Sequence, residues 1–185
     1  MRILAIIGTA GRNEDADVLT LAHYNHMYVV AEQLLLSGGY DAVISGGSAW
    51  ADHIAVRLYL SDKVRKLILC LPYIFDNNNN CYDDNYLNSL HSAFSRKCNI
   101  SSLTEIRAAI DKGCQVVYTD SATSRQHGSH CYHERNTLIA KYCDDLLAFT
   151  FGKGVVPKPG GTLDTWNKTA STVNKIHVSL PVCIP

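Results

Sequence analysis

Six short runs rich in apolar, β-forming residues set the frame for this chain: residues 3–7, 42–44, 66–71, 115–118, 146–151 and 177–180. Each ends in glycine, proline or small polar residues. Continuous rather than alternating hydrophobicity suits strands covered on both faces, and strands of that kind belong to a parallel sheet. Helical stretches lie between them. Met27, Val30, Ala31, Leu34 and Leu35 recur at helical spacing and stop at Gly38 and Gly39. Ser102 and Glu105 form a capping-box pattern ahead of Ile106 and Ile110, and Gly113 closes that helix. Strand and helix alternate, so the expected fold is α/β: a Rossmann-like, doubly wound, mostly parallel sheet flanked by helices.

At 185 residues, 46% hydrophobic and 18% charged, the chain has the size and composition of one domain with its own core. No linker or repeat divides it, so residues 1–185 are read as one unit. Residues 75–99, which include Asn77 to Asn80 and are rich in asparagine, tyrosine and aspartate, break the alternation. They are read as a long insertion on one rim, either a lid or an inert loop. Seven cysteines, an odd number with no CxxC pair and several inside apolar runs, predict reduced thiols. The N-terminal run stops at Gly8-Thr-Ala-Gly-Arg12 rather than at a cleavage site, and no apolar stretch approaches the roughly 20 residues of a membrane helix. A cytoplasmic protein with no membrane partner is expected. Lysine plus arginine balances aspartate plus glutamate at 17 each, so no overall field attracts a phosphodiester backbone, which argues against nucleic acid as a partner.

In an open parallel sheet, ligands bind outside the carboxyl ends of the strands, where loops and helix N-termini converge. Four segments of the sequence end up there. In the first, Gly8, Thr9, Gly11 and Arg12 follow strand one; the glycines admit an anion and Arg12 can fork onto phosphate, although a tight turn with a solvated arginine accounts for them as well. In the second, Gly46, Gly47, Ser48 and Asp52 lie at a strand-to-helix junction, where free amides suit a phosphate; close helix-on-sheet packing is the other account. The third, Ser129-His-Cys-Tyr-His-Glu-Arg-Asn136, leads into a helix and places Glu134, Arg135 and Asn136 in a polar cluster that a structural helix does not require. In the fourth, Pro157-Lys-Pro-Gly-Gly-Thr-Leu-Asp-Thr165, the residues Gly160, Gly161, Thr162, Asp164 and Thr165 start another helix, as an anion-binding nest or as a capped turn. His127, His130, Cys131 and His133 match no usual zinc spacing, so no metal is expected, and nothing calls for a cofactor. Trp50, Tyr73, Tyr132 and Trp166 either stack on a base or pack.

Together, in order and spacing, these segments resemble the SLOG superfamily, which groups the LONELY GUY phosphoribohydrolases, the DprA DNA-processing fold and the YspA-like proteins. Ser45-Gly-Gly-Ser-Ala-Trp-Ala-Asp52 looks like the glycine-rich segment with a following aspartate of DprA and YspA-like chains. His133-Glu-Arg-Asn136 is similar to the His-Glu-Arg-Lys segment of LONELY GUY enzymes and to the Arg-Asn pair of YspA-like ones, and Gly161-Thr-Leu-Asp164 resembles the end of the PGGxGTxxE signature. The resemblance covers most of the chain except residues 75–99. It implies a bound nucleotide, with Arg135 near the phosphate or sugar and the loop around Gly161 and Thr162 cradling phosphate. It also implies a homodimer or higher homo-oligomer paired through helices beside the site, and hydrolysis of the bond between base and ribose as a possible reaction.

That reaction needs a carboxylate near the anomeric carbon and a cation on the phosphate. Glu134 or Asp164 are the candidates for the first and Arg135 for the second. The chain departs from the signature twice: Thr165 stands where the glutamate belongs, and Pro159-Gly-Gly161 runs straight into Thr162 without a spacer. A chain that keeps the binding loops and lacks that glutamate reads as a sensor or sequestering protein for a nucleoside monophosphate or an ADP-ribose-like signalling nucleotide. Nucleotide N-glycosidase chemistry is the second reading, and DprA-like binding of single-stranded DNA the third.

Overall fold

The apolar runs become strands of one sheet in a computed structural model, which describes residues 1–184. In chain order the elements are β1 (Ile3–Gly8), α1 (Glu14–Val18), α2 (Leu21–Gly38), β2 (Ala42–Ser45), α3 (Ala51–Leu60), β3 (Lys66–Leu71), β4 (Phe75–Asp76), β5 (Cys81–Tyr82), α4 (Asn85–Cys98), α5 (Ser102–Asp111), β6 (Gln115–Tyr118), α6 (Asp120–Thr123), α7 (Ser129–Tyr142), β7 (Asp145–Thr150), α8 (Gly161–Lys168) and β8 (Asn174–Ser179). The main sheet has six strands in the order β6-β3-β2-β1-β7-β8, all parallel; β4 and β5 form a separate antiparallel hairpin.

Burial on both faces explains the continuous hydrophobicity. Alternate residues of a strand point to opposite sides, so Leu4 and Ile6 of β1 join one core while Ala5 and Ile7 join the other. The larger core carries Met27 and Leu35 of α2, Ile54 and Leu58 of α3, Phe94 of α4 and Ile106 of α5. The smaller one is closed by Ile139 of α7 and Trp166 of α8. Among the described residues all seven cysteines are unpaired and no helix is long and apolar enough to cross a membrane.

Two expectations change. Residues 75–99 are not a loop over the rim. They fold as the β4–β5 hairpin and the helix α4, which buries Leu87, Leu90, His91, Phe94 and Cys98 against the larger core. The Asp84 side chain caps α4 by accepting from the Leu87 amide at 2.6 Å, and Phe94 meets Tyr24 and Trp50 edge-on at 5.0 Å each. Those five positions recur at helical spacing, which outweighs the turn-forming asparagines ahead of them. The Ser102–Glu105 capping box is also not formed. The Ser102 hydroxyl instead meets His91 Nδ1 at 2.9 Å, and Glu105 accepts from His53 Nε2 at 2.7 Å and from Arg57 at 3.1 Å.

Candidate functional site

From β1 the chain turns to β2 on one side of the sheet and later returns to β7 on the other, which leaves a crevice between the carboxyl ends of β1 and β7. A cleft of about 550 Å³ occupies it. All four predicted segments reach it: Gly8, Thr9 and Arg12 after β1, Ser48 and Asp52 after β2, Arg135 and Asn136 on α7, and Gly160, Gly161, Thr162 and Thr165 at the start of α8.

The other nominated residues stand behind the lining or away from it. Gly46 lies under Arg135, so close that a Cβ there would sit 2.6 Å from Nη1. Gly47 holds φ at 67°, and its Cβ would meet Leu71 Cδ2 at 2.4 Å and the Tyr82 hydroxyl at 2.7 Å; only glycine fits that bend. Gly11 lies against the Trp50 indole. Glu134 faces α6, where it accepts from the Ser121 amide at 3.0 Å and the Ser121 hydroxyl at 2.6 Å; those bonds hold its carboxyl below the usual range. Asp164 reaches the cleft only through its neighbours, accepting from Asn136 at 2.9 Å and Lys168 at 2.8 Å and standing 3.2 Å from His133 Nδ1. Burial pushes its carboxyl up, but these partners outweigh that and leave it low.

The floor of the cleft is the loop between β2 and α3. Trp50 enters α3 at φ 62° and ψ −112°, a conformation rare for a bulky residue. Its indole is buried against Phe94, so Trp50 packs. The Gly47 carbonyl accepts two bonds from behind, from the Tyr82 hydroxyl at 2.7 Å and from His91 Nε2 at 3.1 Å. Burial drives the His91 imidazole down to about 3. It is therefore neutral, with Nε2–H donating to Gly47 and Nδ1 accepting from the Ser102 hydroxyl.

The cations of the cleft differ in what they are committed to. Arg135 is consumed by the fold: Nε and Nη2 donate to Asn136 Oδ1 at 3.2 and 3.0 Å, Nη1 donates to the Gly46 carbonyl at 3.3 Å and lies 3.6 Å from Asp52 Oδ2. Burial raises the Asp52 carboxyl above the usual range, against the opposing pull of Arg135, the Ser48 and Gly46 amides and Arg12. Lys158, from the loop between β7 and α8, pairs with buried Asp15 and with Glu14, and Asp15 also accepts from Thr9. Arg12 has no carboxylate partner among the described residues. Its guanidinium lies over the rings of Tyr132 and Tyr86 at 4.8 and 5.3 Å, and its buried Nε has no hydrogen-bond partner. Two more buried atoms on the same cleft are unpartnered, Ser48 Oγ and the Tyr132 hydroxyl.

Opposite them, α8 starts at Gly160 without a side-chain cap. Its first amides and the positive end of its dipole are open to an anion. Thr165, at the signature glutamate position, is buried and its hydroxyl bonds back to the Gly161 carbonyl at 3.1 Å. The histidine-rich run disperses: His127 stacks on buried Tyr73, Cys131 Sγ donates to the Gln126 carbonyl and His133 turns to Asp164. Trp166 packs in the smaller core. Sequence reasoning missed Asp15, Thr150 and Lys158 in the lining. Lys158 lay inside the fourth segment, but nothing local marks Asp15, whose charged partner Lys158 comes from the far end of the chain.

No protein-family model matches the chain. Among solved structures, DNA processing protein A (DprA) from Streptococcus pneumoniae superimposes with a TM-score of 0.54 at 14% identity, over 90% of this chain and 46% of DprA. The chain thus spans a little under half of DprA, and the likeness shows the Rossmann-like fold expected from the sequence. A viral relative is 38% identical over 188 residues, covering 97% of this chain and 96% of its own. At that identity over nearly the whole of both chains, the protein belongs to the same family as the uncharacterized protein R261 of Acanthamoeba polyphaga mimivirus.

Proposed function

We propose that the cleft binds a phosphate-bearing nucleotide and that the protein serves as a sensor or sequestering protein for it. One observation carries the reading: Arg12 Nε, Ser48 Oγ and the Tyr132 hydroxyl are buried without partners, and all three belong to this cleft. Each such group costs about 1–3 kcal/mol when left unpaired, so their convergence on one site marks hydrogen-bonding capacity reserved for a ligand. Arg12 supplies unneutralised charge and the α8 amides supply donors, a combination suited to phosphate. The likeness of the four loops to SLOG segments supports a nucleotide as the class.

Binding is favoured over hydrolysis because Thr165 replaces the signature glutamate and Glu134 is held by Ser121. The test is native mass spectrometry of the purified protein with inorganic phosphate, the nucleoside monophosphates and ADP-ribose. Saturable retention of at least one nucleotide, lost in Arg12→Ala and unaccompanied by free base, is the expected result. Retention of none of these probes would overturn the reading, and release of free base would replace it with N-glycosidase chemistry.

A further inference from the structure

The floor of the cleft has a corner that an anion site does not require. Asp52 is 5% exposed; its carboxyl is met by the Gly46 amide, by the Ser48 amide at 3.3 Å from Oδ2 and, at 3.6 Å, by Arg135 Nη1. An ionised carboxyl offers about four acceptor positions, so acceptor capacity is left over. Beside it the Ser48 hydroxyl, 3% exposed, has no partner at all. A phosphate set against Asp52 would meet like charge in a poorly solvated place. A neutral group carrying two adjacent hydroxyls would not: one hydroxyl donates to the carboxylate while its neighbour accepts from Ser48.

We infer that the corner formed by Asp52 and Ser48 receives the ribose diol of the ligand, which makes the ligand class ribonucleotide rather than deoxyribonucleotide. This rests on the nucleotide reading of the same cleft, with the phosphate assigned to Arg12 and the α8 amides. A site built to bond a hydroxyl rejects the analogue lacking it, because its own buried groups are then stranded.

Isothermal titration of the full chain with AMP, GMP, CMP and UMP, each against its 2′-deoxy counterpart, and with inorganic phosphate tests it. At least one ribonucleotide is expected to bind about tenfold or more tightly than its deoxy form. That ratio is expected to fall towards one in Ser48→Ala and, independently, in Asp52→Asn, with folding of each variant checked by circular dichroism. Equal affinity for ribo and deoxy forms, or a ratio that survives in both folded variants, overturns the diol assignment and leaves nucleotide binding standing. Failure of every probe, phosphate included, overturns the nucleotide reading and the inference with it.

Discussion

Arg135 and Arg12 line the same cleft but should fail in different ways when truncated. Arg135→Ala removes the bonds to Asn136 Oδ1 and the Gly46 carbonyl, and it strands Asp52 without its cation at a site where both side chains are nearly buried. Removing one member of a buried pair costs about 3–5 kcal/mol. At roughly 2–4 °C per kcal/mol for a chain of this size, the melting temperature should drop by about 6–20 °C. Asp52→Asn in that background should restore part of the loss, because the stranded charge is gone, with a coupling of about 1 kcal/mol or more. Arg12→Ala forfeits two ring contacts of about 0.5–1 kcal/mol each, and it also removes a buried nitrogen that has no partner. These offset, so its melting temperature should stay within about 3 °C. Its effect should appear instead as a loss of about tenfold or more in nucleotide affinity, the scale of a hydrogen bond to a charged group. Thermal melts at pH 7 followed by circular dichroism decide the matter. Equal losses in the two single variants, or a stable Arg135→Ala, would refute the division of labour.

Burial holds the His91 imidazole down to about 3 and also lowers that of His53. The unfolded chain takes up these protons below about pH 6.5 and the folded chain does not, so stability is full above that pH and falls as pH drops towards the folded values. His91 alone should account for about 2 kcal/mol between pH 7 and pH 5; a urea midpoint flat across that window would contradict it. Phe94→Ala should cost about 3–5 kcal/mol, read as a lower urea midpoint, whereas a lid would tolerate it. Gly47→Ala combines the left-handed bend with contacts at 2.4 and 2.7 Å, so it should lose about 1–3 kcal/mol by the same assay; an unchanged midpoint would show that the bend is not enforced.

The central strands were legible because burial on both faces leaves a local trace, an unbroken apolar run. The helix α4 was not read, although Leu87, Leu90, Phe94 and Cys98 repeat with its period. The asparagines before it are strong turn formers, and its buried polar members, such as His91, do not register as apolar. The capping box failed for a related reason: Glu105 suits a helix start equally well as a free cap or as a partner for His53 and Arg57, and only the fold brings those two to it. The same limit governs the cleft. Glycines and small hydroxyls at strand ends identify the four loops, but which arginine is committed depends on Asp52 and Asn136 arriving beside Arg135, while Arg12 receives only aromatic rings.

Residues 75–99 hold in place the loop to which the ribose diol is assigned. The loop from β2 to α3 contains two positive-φ positions, Gly47 and Trp50, and a bulky residue held there costs of order 1–3 kcal/mol. That conformation persists because the surroundings fix it. Tyr82 and His91 hold the Gly47 carbonyl, and Phe94 holds the Trp50 indole. All three come from residues 75–99, on the far side of the loop from the cleft. Ser48 lies between the two fixed points and Asp52 just beyond the second, so both have little freedom left to lose when a ligand arrives. A site whose supporting shell is already ordered spends less of its binding energy on organising itself. On the ribose-diol assignment, discrimination by a single hydroxyl would therefore depend on Tyr82, His91 and Phe94, none of which lines the cleft.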